Sequence, residues 1–167
     1  VFPFHCEIGD ICWSMHVPEM LGVSGAKGGQ TRPHLAQAPD LMPTLLELCG
    51  VEPPKEAKIE GVSLAAALGG DPTPVRDVAV LASASGEVCR RPAITDGQWK
   101  LLLFEPPEPE APQLYHVADD PTEQHNVIDD HRDEAKRLHR ALLDWLKAHD
   151  GHDRMLANLS AENVGLH

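Results

Sequence analysis

The side chains best suited to chemistry crowd the opening of this sequence. His5, Cys6, Cys12 and His16 could supply the four nitrogen and sulfur ligands of a zinc ion, although the Cys-x5-Cys spacing is unlike the tight cysteine pairs of most such sites. His5 is also a candidate ligand for another divalent metal, since imidazole suits that role when carboxylates complete the set. The run Gly22-Val-Ser-Gly-Ala-Lys-Gly-Gly29 is glycine-rich, but no Lys-Ser or Lys-Thr follows in the register of a phosphate-cradling loop. Ser24 has no nucleophile-elbow pattern around it. Trp99 and Lys100 could border a substrate cleft, whereas alternation along a strand favours Trp99 in the core and Lys100 outside. The ten histidines lie mostly in polar stretches, where solvation accounts for them.

The chain that must position these groups has 167 residues, enough for one domain with a real core and too few for a whole large α/β hydrolase. Its 26 acidic against 14 basic residues give a net charge of -12, which repels a polyanion and argues against a nucleic-acid partner. No apolar run approaches the roughly 20 residues of a membrane helix, so no membrane partner is expected. The four cysteines, Cys6, Cys12, Cys49 and Cys89, are irregularly spaced and read as free thiols, as in a reducing compartment such as the cytoplasm. Fifteen prolines and thirteen glycines point to long connections between short elements.

Residues 1–39 show no clean period and are expected to be irregular. A short buried helix follows, with Asp40 as its cap, Pro43 in the first turn, apolar Leu41, Met42, Leu45, Leu46, Leu48 and Cys49, and Gly50 as the stop. Ser63 could cap a second helical piece within Gly61–Gly70. Strands are expected at 78–82 and 88–95, the latter broken at Pro92. The Asp96-Gly97 turn leads into a third strand at 98–104, and a fourth follows at 113–117, forming an antiparallel meander. The Pro- and Glu-rich run Glu105–Pro112 reads as an exposed loop. A final helix from about Asp130 to His149 places Ala135, Leu138, Leu142, Trp145 and Leu146 on one face. The tail 151–167 holds too few apolar residues to insist on structure.

Four stretches together resemble the C-terminal part of the sulfatases, within the alkaline-phosphatase-like superfamily. They are Ala38-Pro-Asp-Leu-Met-Pro-Thr-Leu-Leu-Glu-Leu-Cys-Gly-Val51, then Gly61-Val-Ser-Leu64, then Ala93-Ile-Thr-Asp-Gly-Gln-Trp-Lys100, and Gln113-Leu-Tyr-His-Val-Ala-Asp-Asp-Pro-Thr-Glu-Gln-His-Asn126. Their order and spacing match the family over residues 34 to 149. The resemblance implies an α/β enzyme in which 1–39 is a remnant of the large domain and 40–150 is the C-terminal subdomain. That part, α+β by itself, would be a small antiparallel sheet packed by a terminal helix. It also implies sulfate-ester hydrolysis by a formylglycine, made from a Cys/Ser-x-Pro-x-Arg motif, beside calcium, magnesium or manganese. No such motif occurs here, and Cys89-Arg-Arg-Pro92 has proline and arginine at the wrong offsets, leaving Cys89 as a strand residue.

Val1-Phe2 and His5-Cys-Glu-Ile-Gly-Asp10 are similar to the family segment whose Asp-His pair serves the metal, and the resemblance gives His5 that role. Phe4 stands where the Asp would be and Cys6 where a glycine would be. The lysine that meets sulfate in the family has no match between Asp10 and His16, and His16-Val-Pro-Glu-Met20 resembles the family strand that follows, which implies a shortened connection after Asp10. The expected function is the C-terminal part of a metal-dependent sulfuric-ester hydrolase, inactive alone, with a small-molecule sulfate ester as the intact enzyme's substrate. Two alternatives stand beside it: a non-catalytic metal- or partner-binding module, and a phosphodiester or phosphonate-ester hydrolase of the same superfamily. Self-association is expected, because apolar surface that a larger fold would cover is left open.

Overall fold

Two of the sequence motifs meet at the start of the fold. The computed structural model describes residues 29–81, 84–85, 88–89, 91–104, 110–149 and 153–166, and from Thr31 onward these belong to one unit, Thr31–His167. A single 3-10 turn, Ala38–Asp40, runs into helix α1, Leu41–Leu48. Asp40 does not cap α1 with its side chain. It is fully buried, and its carboxylate takes the amide hydrogens of Gln37 (2.7 Å) and Val62 (2.9 Å) and an ion pair from Arg76. Thr44, also buried, donates its hydroxyl to the Asp40 carbonyl at 2.5 Å and accepts the Leu64 amide at 2.8 Å. Gly61 approaches so closely that a Cβ there would overlap the Pro39 carbonyl and come within 2.8 Å of the Asp40 nitrogen. Helix α2, Ala65–Gly69, begins beside Ser63, whose hydroxyl accepts the Ala65 amide at 3.2 Å. It stops at Gly70, whose φ of 103° is the left-handed conformation expected of a terminating glycine.

The expectation that α1 is a buried helix is corrected. Thr44 is its one fully buried residue among those described, and Met42, Leu45 and Leu48 face solvent. The hydrogen bonds of Asp40 and Thr44 hold the helix with Thr44 inward, and Met42, Leu45 and Leu48 are turned to solvent.

Among the described residues six strands follow: β1 Ala79–Leu81, β2 Ala84–Ser85, β3 Val88–Cys89, β4 Ala93–Thr95, β5 Trp99–Leu102 and β6 Gln113–His116. β1, β4, β5 and β6 form an antiparallel sheet in the order β1-β4-β5-β6, while β2 and β3 pair as a separate hairpin. The β4–β5 turn is the expected Asp-Gly turn. Gly97 has φ 89°, and the Asp96 carboxylate accepts the amides of Gln98 (2.9 Å) and Trp99 (2.8 Å). The register aligns Val80, Ile94, Leu101 and Leu114 in one row across the four strands. All four are buried, and with Leu103 they meet Ala135, Leu138, Leu142 and Leu146 of helix α3, Arg132–Ala148. Those helical positions recur with the 3.6-residue period that the sequence shows.

Arg137 of α3 reaches the β4–β5 turn and pairs with Asp96. Burial pushes the Asp96 carboxyl up, but the Trp99 amide, the Arg137 guanidinium and the Gln98 amide outweigh it and hold the group below its ordinary value of 3.8. The ionised carboxylate therefore contributes stability above that ordinary value, and the contribution is lost as pH falls through the lower folded value. Arg137→Ala is expected to move the acid-unfolding midpoint to higher pH, read by far-ultraviolet circular dichroism. An unmoved midpoint would show that the turn does not depend on this pair.

The tail is also corrected. Helix α4, Asp153–Asn158, follows α3, and Met155, Leu159, Val164 and Leu166 are buried in the same core. The buried His139 of α3 shares a hydrogen bond with the Leu159 carbonyl at 2.7 Å. These four apolar residues are sparse in sequence, yet the turns after α4 bring them all to one side.

Candidate functional site: a cleft at the start of helix α3

Residues separated widely in sequence line one cleft. Trp99 at the start of β5 is opposite His116 at the end of β6, on the sheet face that α3 covers. The ring centroids of Trp99 and His116 are 4.4 Å apart, and those of Trp99 and His131, which immediately precedes α3, are 4.8 Å apart. Asp119, Asp120, His125 and Val127 complete the wall of a cleft of about 510 Å³. His116 Nδ1 is 2.8 Å from Asp119 Oδ2, and His125 Nδ1 is 3.5 Å from Asp120 Oδ2.

The loop from β6 to α3 builds this wall. Asp120 accepts the His125 amide at 2.8 Å, and this bond, with a further one from the Gln124 amide, lowers its pKa despite an opposing desolvation effect. Asn126 uses one oxygen for the Leu114 amide (3.0 Å) and the Ile128 amide (3.1 Å), folding the loop back along β6. Glu123, with φ 55°, sends its carboxylate to Lys100 Nζ at 2.7 and 2.8 Å. The Asp-Pro-x-Glu-x-x-Asn and Trp-Lys motifs are thus joined by an ion pair.

Lys100 is therefore a correction. It was expected outside, yet it is 2% exposed. Both faces of β5 are covered, and a buried ammonium persists there because Glu123 supplies the counter-charge. Trp99 is partly buried and packs against the core, as alternation suggested, with one side of its indole left to the cleft. Tyr115, next to Lys100 across the strand pair, donates to Gln113 Oε1 at 3.0 Å. Burial raises its phenol pKa, helped by the negative charges of Glu123 and Asp120.

The cleft offers an indole face, three imidazoles and two carboxylates, and its lining includes no serine, threonine, cysteine or lysine. Such a set can stack on a ring and exchange hydrogen bonds with hydroxyls. It offers no hydroxyl or thiol side chain for nucleophilic attack on an ester. Among the described residues no group of three or more His, Cys, Asp and Glu side chains could hold a metal ion. His5, with Cys6, Cys12, His16 and the Gly22–Gly29 run up to its last glycine, lies outside the described residues. Cys89 is on β3, in line with its reading as a strand residue.

Residues 13–149 match the family described as N-sulphoglucosamine sulphohydrolase, C-terminal. The chain belongs to this family. No curated protein matches the sequence. Among solved structures, this sulphohydrolase C-terminal chain is similar to BT4656, solved in complex with its substrate D-glucosamine-2-N,6-O-disulfate, at 25% identity and a TM-score of 0.56. That match covers 69% of this chain and 24% of the other. A Bacteroides thetaiotaomicron protein from a locus for metabolism of multiple glycosaminoglycans shares the fold at 19% identity and a TM-score of 0.61, covering 78% of this chain and 30% of that one. The phosphonate monoester hydrolase of Agrobacterium radiobacter is 27% identical with a TM-score of 0.50, covering 74% and 27% respectively. The family chain described here thus spans between 24% and 30% of the length of these relatives. The four-stranded antiparallel sheet packed by α3 is the C-terminal subdomain that the sulfatase resemblance implied.

The cleft histidines were missed by sequence reasoning. His116, His125 and His131 read as solvated residues, and the signal that could have singled out His116 is its place opposite Trp99 once the strand register is drawn. Asp119 and Asp120 lie in the turn after β6, where Asp120 accepts the His125 amide.

Proposed function

We propose that this chain is the C-terminal part of a metal-dependent sulfuric-ester hydrolase acting on a sulfated sugar, with the Trp99 cleft bordering the sugar rather than the reacting sulfur. The observation that carries the reading is the family match over residues 13–149. The sugar disulfate bound by the 25%-identical relative supports the substrate class, and an indole beside imidazoles and carboxylates suits a polyhydroxylated ring. In this reading the nucleophile comes from chain outside this sequence, because no Cys/Ser-x-Pro-x-Arg motif is present. The divalent metal would likewise be held mostly outside it, with His5 as this chain's proposed contribution. When bound, the metal would stabilise negative charge developing on the ester oxygens.

The test is direct. The purified chain should release no product from an aryl sulfate with calcium, magnesium or manganese added, whereas the complete protein should. Metal-dependent turnover by the chain alone would overturn the assignment of the nucleophile to another part. A second reading, phosphonate-ester hydrolysis, is favoured by the likeness to the Agrobacterium radiobacter enzyme. An aryl phosphonate monoester cleaved faster than the aryl sulfate by the complete protein would decide for it.

A further inference from the structure

The permanent charges on the wall of the Trp99 cleft are all negative. Asp119 and Asp120 supply them, and the lining includes no lysine or arginine among the described residues. Asp119 is 86% exposed, so its carboxylate stands in solvent, whereas Asp120 is set into the wall by the His125 and Gln124 amides. The cations nearest in sequence are committed elsewhere. Lys100, beside Trp99 on β5, is buried and gives its ammonium to Glu123, and Arg132, the residue after His131, pairs with Asp129 at 3.0 Å. The start of α3, which would otherwise favour an anion, carries Asp133 and Glu134 in its first turn.

The uncharged groups of the wall suit hydroxyls instead. His116 Nδ1 donates to Asp119 at 2.8 Å, which leaves Nε2 of the neutral ring as an acceptor. The carboxylates accept as well, and the open side of the Trp99 indole gives an apolar face on which a sugar ring can lie. A sulfate or carboxylate brought to the same place would meet acceptors and like charge, with no guanidinium or ammonium to receive it. Even in water, a like charge held at roughly 4 Å weakens binding by about fivefold for each carboxylate.

We propose that the Trp99 cleft is a subsite for an unsulfated sugar ring, and that Asp119 and Asp120 make it reject a ring bearing sulfate or carboxylate. This rests on the sugar-sulfate reading above and adds where charge on the substrate is tolerated. The sulfated unit belongs at the reacting centre, and the cleft takes an uncharged or amino-bearing part of the same molecule.

The test compares N-acetylglucosamine with N-acetylglucosamine 6-sulfate, a pair that differs only in the anionic group and is related to the glucosamine disulfate bound by the 25%-identical relative. Binding to the 167-residue chain is followed at about pH 8, above the range in which imidazoles ordinarily take up a proton. The readout is the indole N–H resonance of Trp99, assigned by its loss in Trp99→Phe. The unsulfated sugar is expected to bind at least about fivefold more tightly. That ratio should fall toward one in Asp119→Asn, whose amide oxygen can still accept from His116, and at high salt, which screens the repulsion. Equal or tighter binding of the sulfated sugar, a ratio that Asp119→Asn leaves unchanged, or a Trp99 resonance that neither sugar moves would each overturn the proposal. Failure of the functional reading is separable: the complete protein would cleave no sulfate ester while the chain kept its discrimination between the two sugars.

Discussion

Asp40→Ala is expected to lower the unfolding free energy by about 3–5 kcal/mol, the cost typical of removing one partner from a buried ion pair. The carboxylate is fully buried and gathers two backbone amides and a guanidinium from three separate segments. Alanine would leave the Gln37 and Val62 amides without acceptors. It would also leave Arg76, whose side chain is only 15% exposed, without its counter-ion. Arg76 keeps a bond to Gln37 Oε1 at 2.5 Å, but its Nε already has no partner, so little remains to offset the charge. Against a usual net stability of roughly 5–15 kcal/mol, such a loss is a large fraction. The urea midpoint of the purified chain checks it, and Asp40→Asn should fall between wild type and alanine because it keeps acceptor oxygen without the charge. A change under about 1 kcal/mol for alanine, the size of an ordinary substitution, would show that the joint is not the keystone described.

Ending the chain after His149 is expected to have an effect of similar or greater size. Met155, Leu159, Val164 and Leu166 are each almost fully buried. At roughly 2 kcal/mol for each buried side chain, their removal forfeits a gross contribution on the order of 8 kcal/mol, before any relaxation of the core. The deletion also takes away the Leu159 carbonyl and leaves the buried His139 ring without that partner. The shortened chain should lose its cooperative thermal transition or show it many degrees lower, by differential scanning calorimetry. Retention of the wild-type transition would mean that these residues do not complete the core.

Most elements were legible because local rules and tertiary structure agree. The Asp96-Gly97 turn, the strand that follows it and the helical period of Ala135, Leu138, Leu142 and Leu146 each have one dominant reading. The orientation of α1 was not legible, because an apolar stripe in the sequence does not say that the hydrogen bonds of Asp40 and Thr44 will turn a different side inward. Lys100 was misplaced for a related reason. Alternation assumes one wet face, and its partner Glu123 lies 23 positions away. The last helix escaped because six residues are too few for a period to show. Recognition of the sulfatase motifs needed no such geometry, but what the motifs do locally emerged only from their pairing: Asp40 with the Gly61 segment, and Lys100 with Glu123. The cleft was the least legible part, since only strand register and the position of the α3 start bring Trp99, His116 and His131 together.

The burial of Lys100 between neighbours Trp99 and Leu101 also disciplines how the sheet can assemble. Slippage of β5 by one position would turn its ammonium into the oily layer beneath α3 and swing Leu101 to the side where Glu123 waits. An unpaired cation in that layer is heavily penalised. The wrong alignment is thereby disfavoured, so a single charged residue helps to specify how the strands line up.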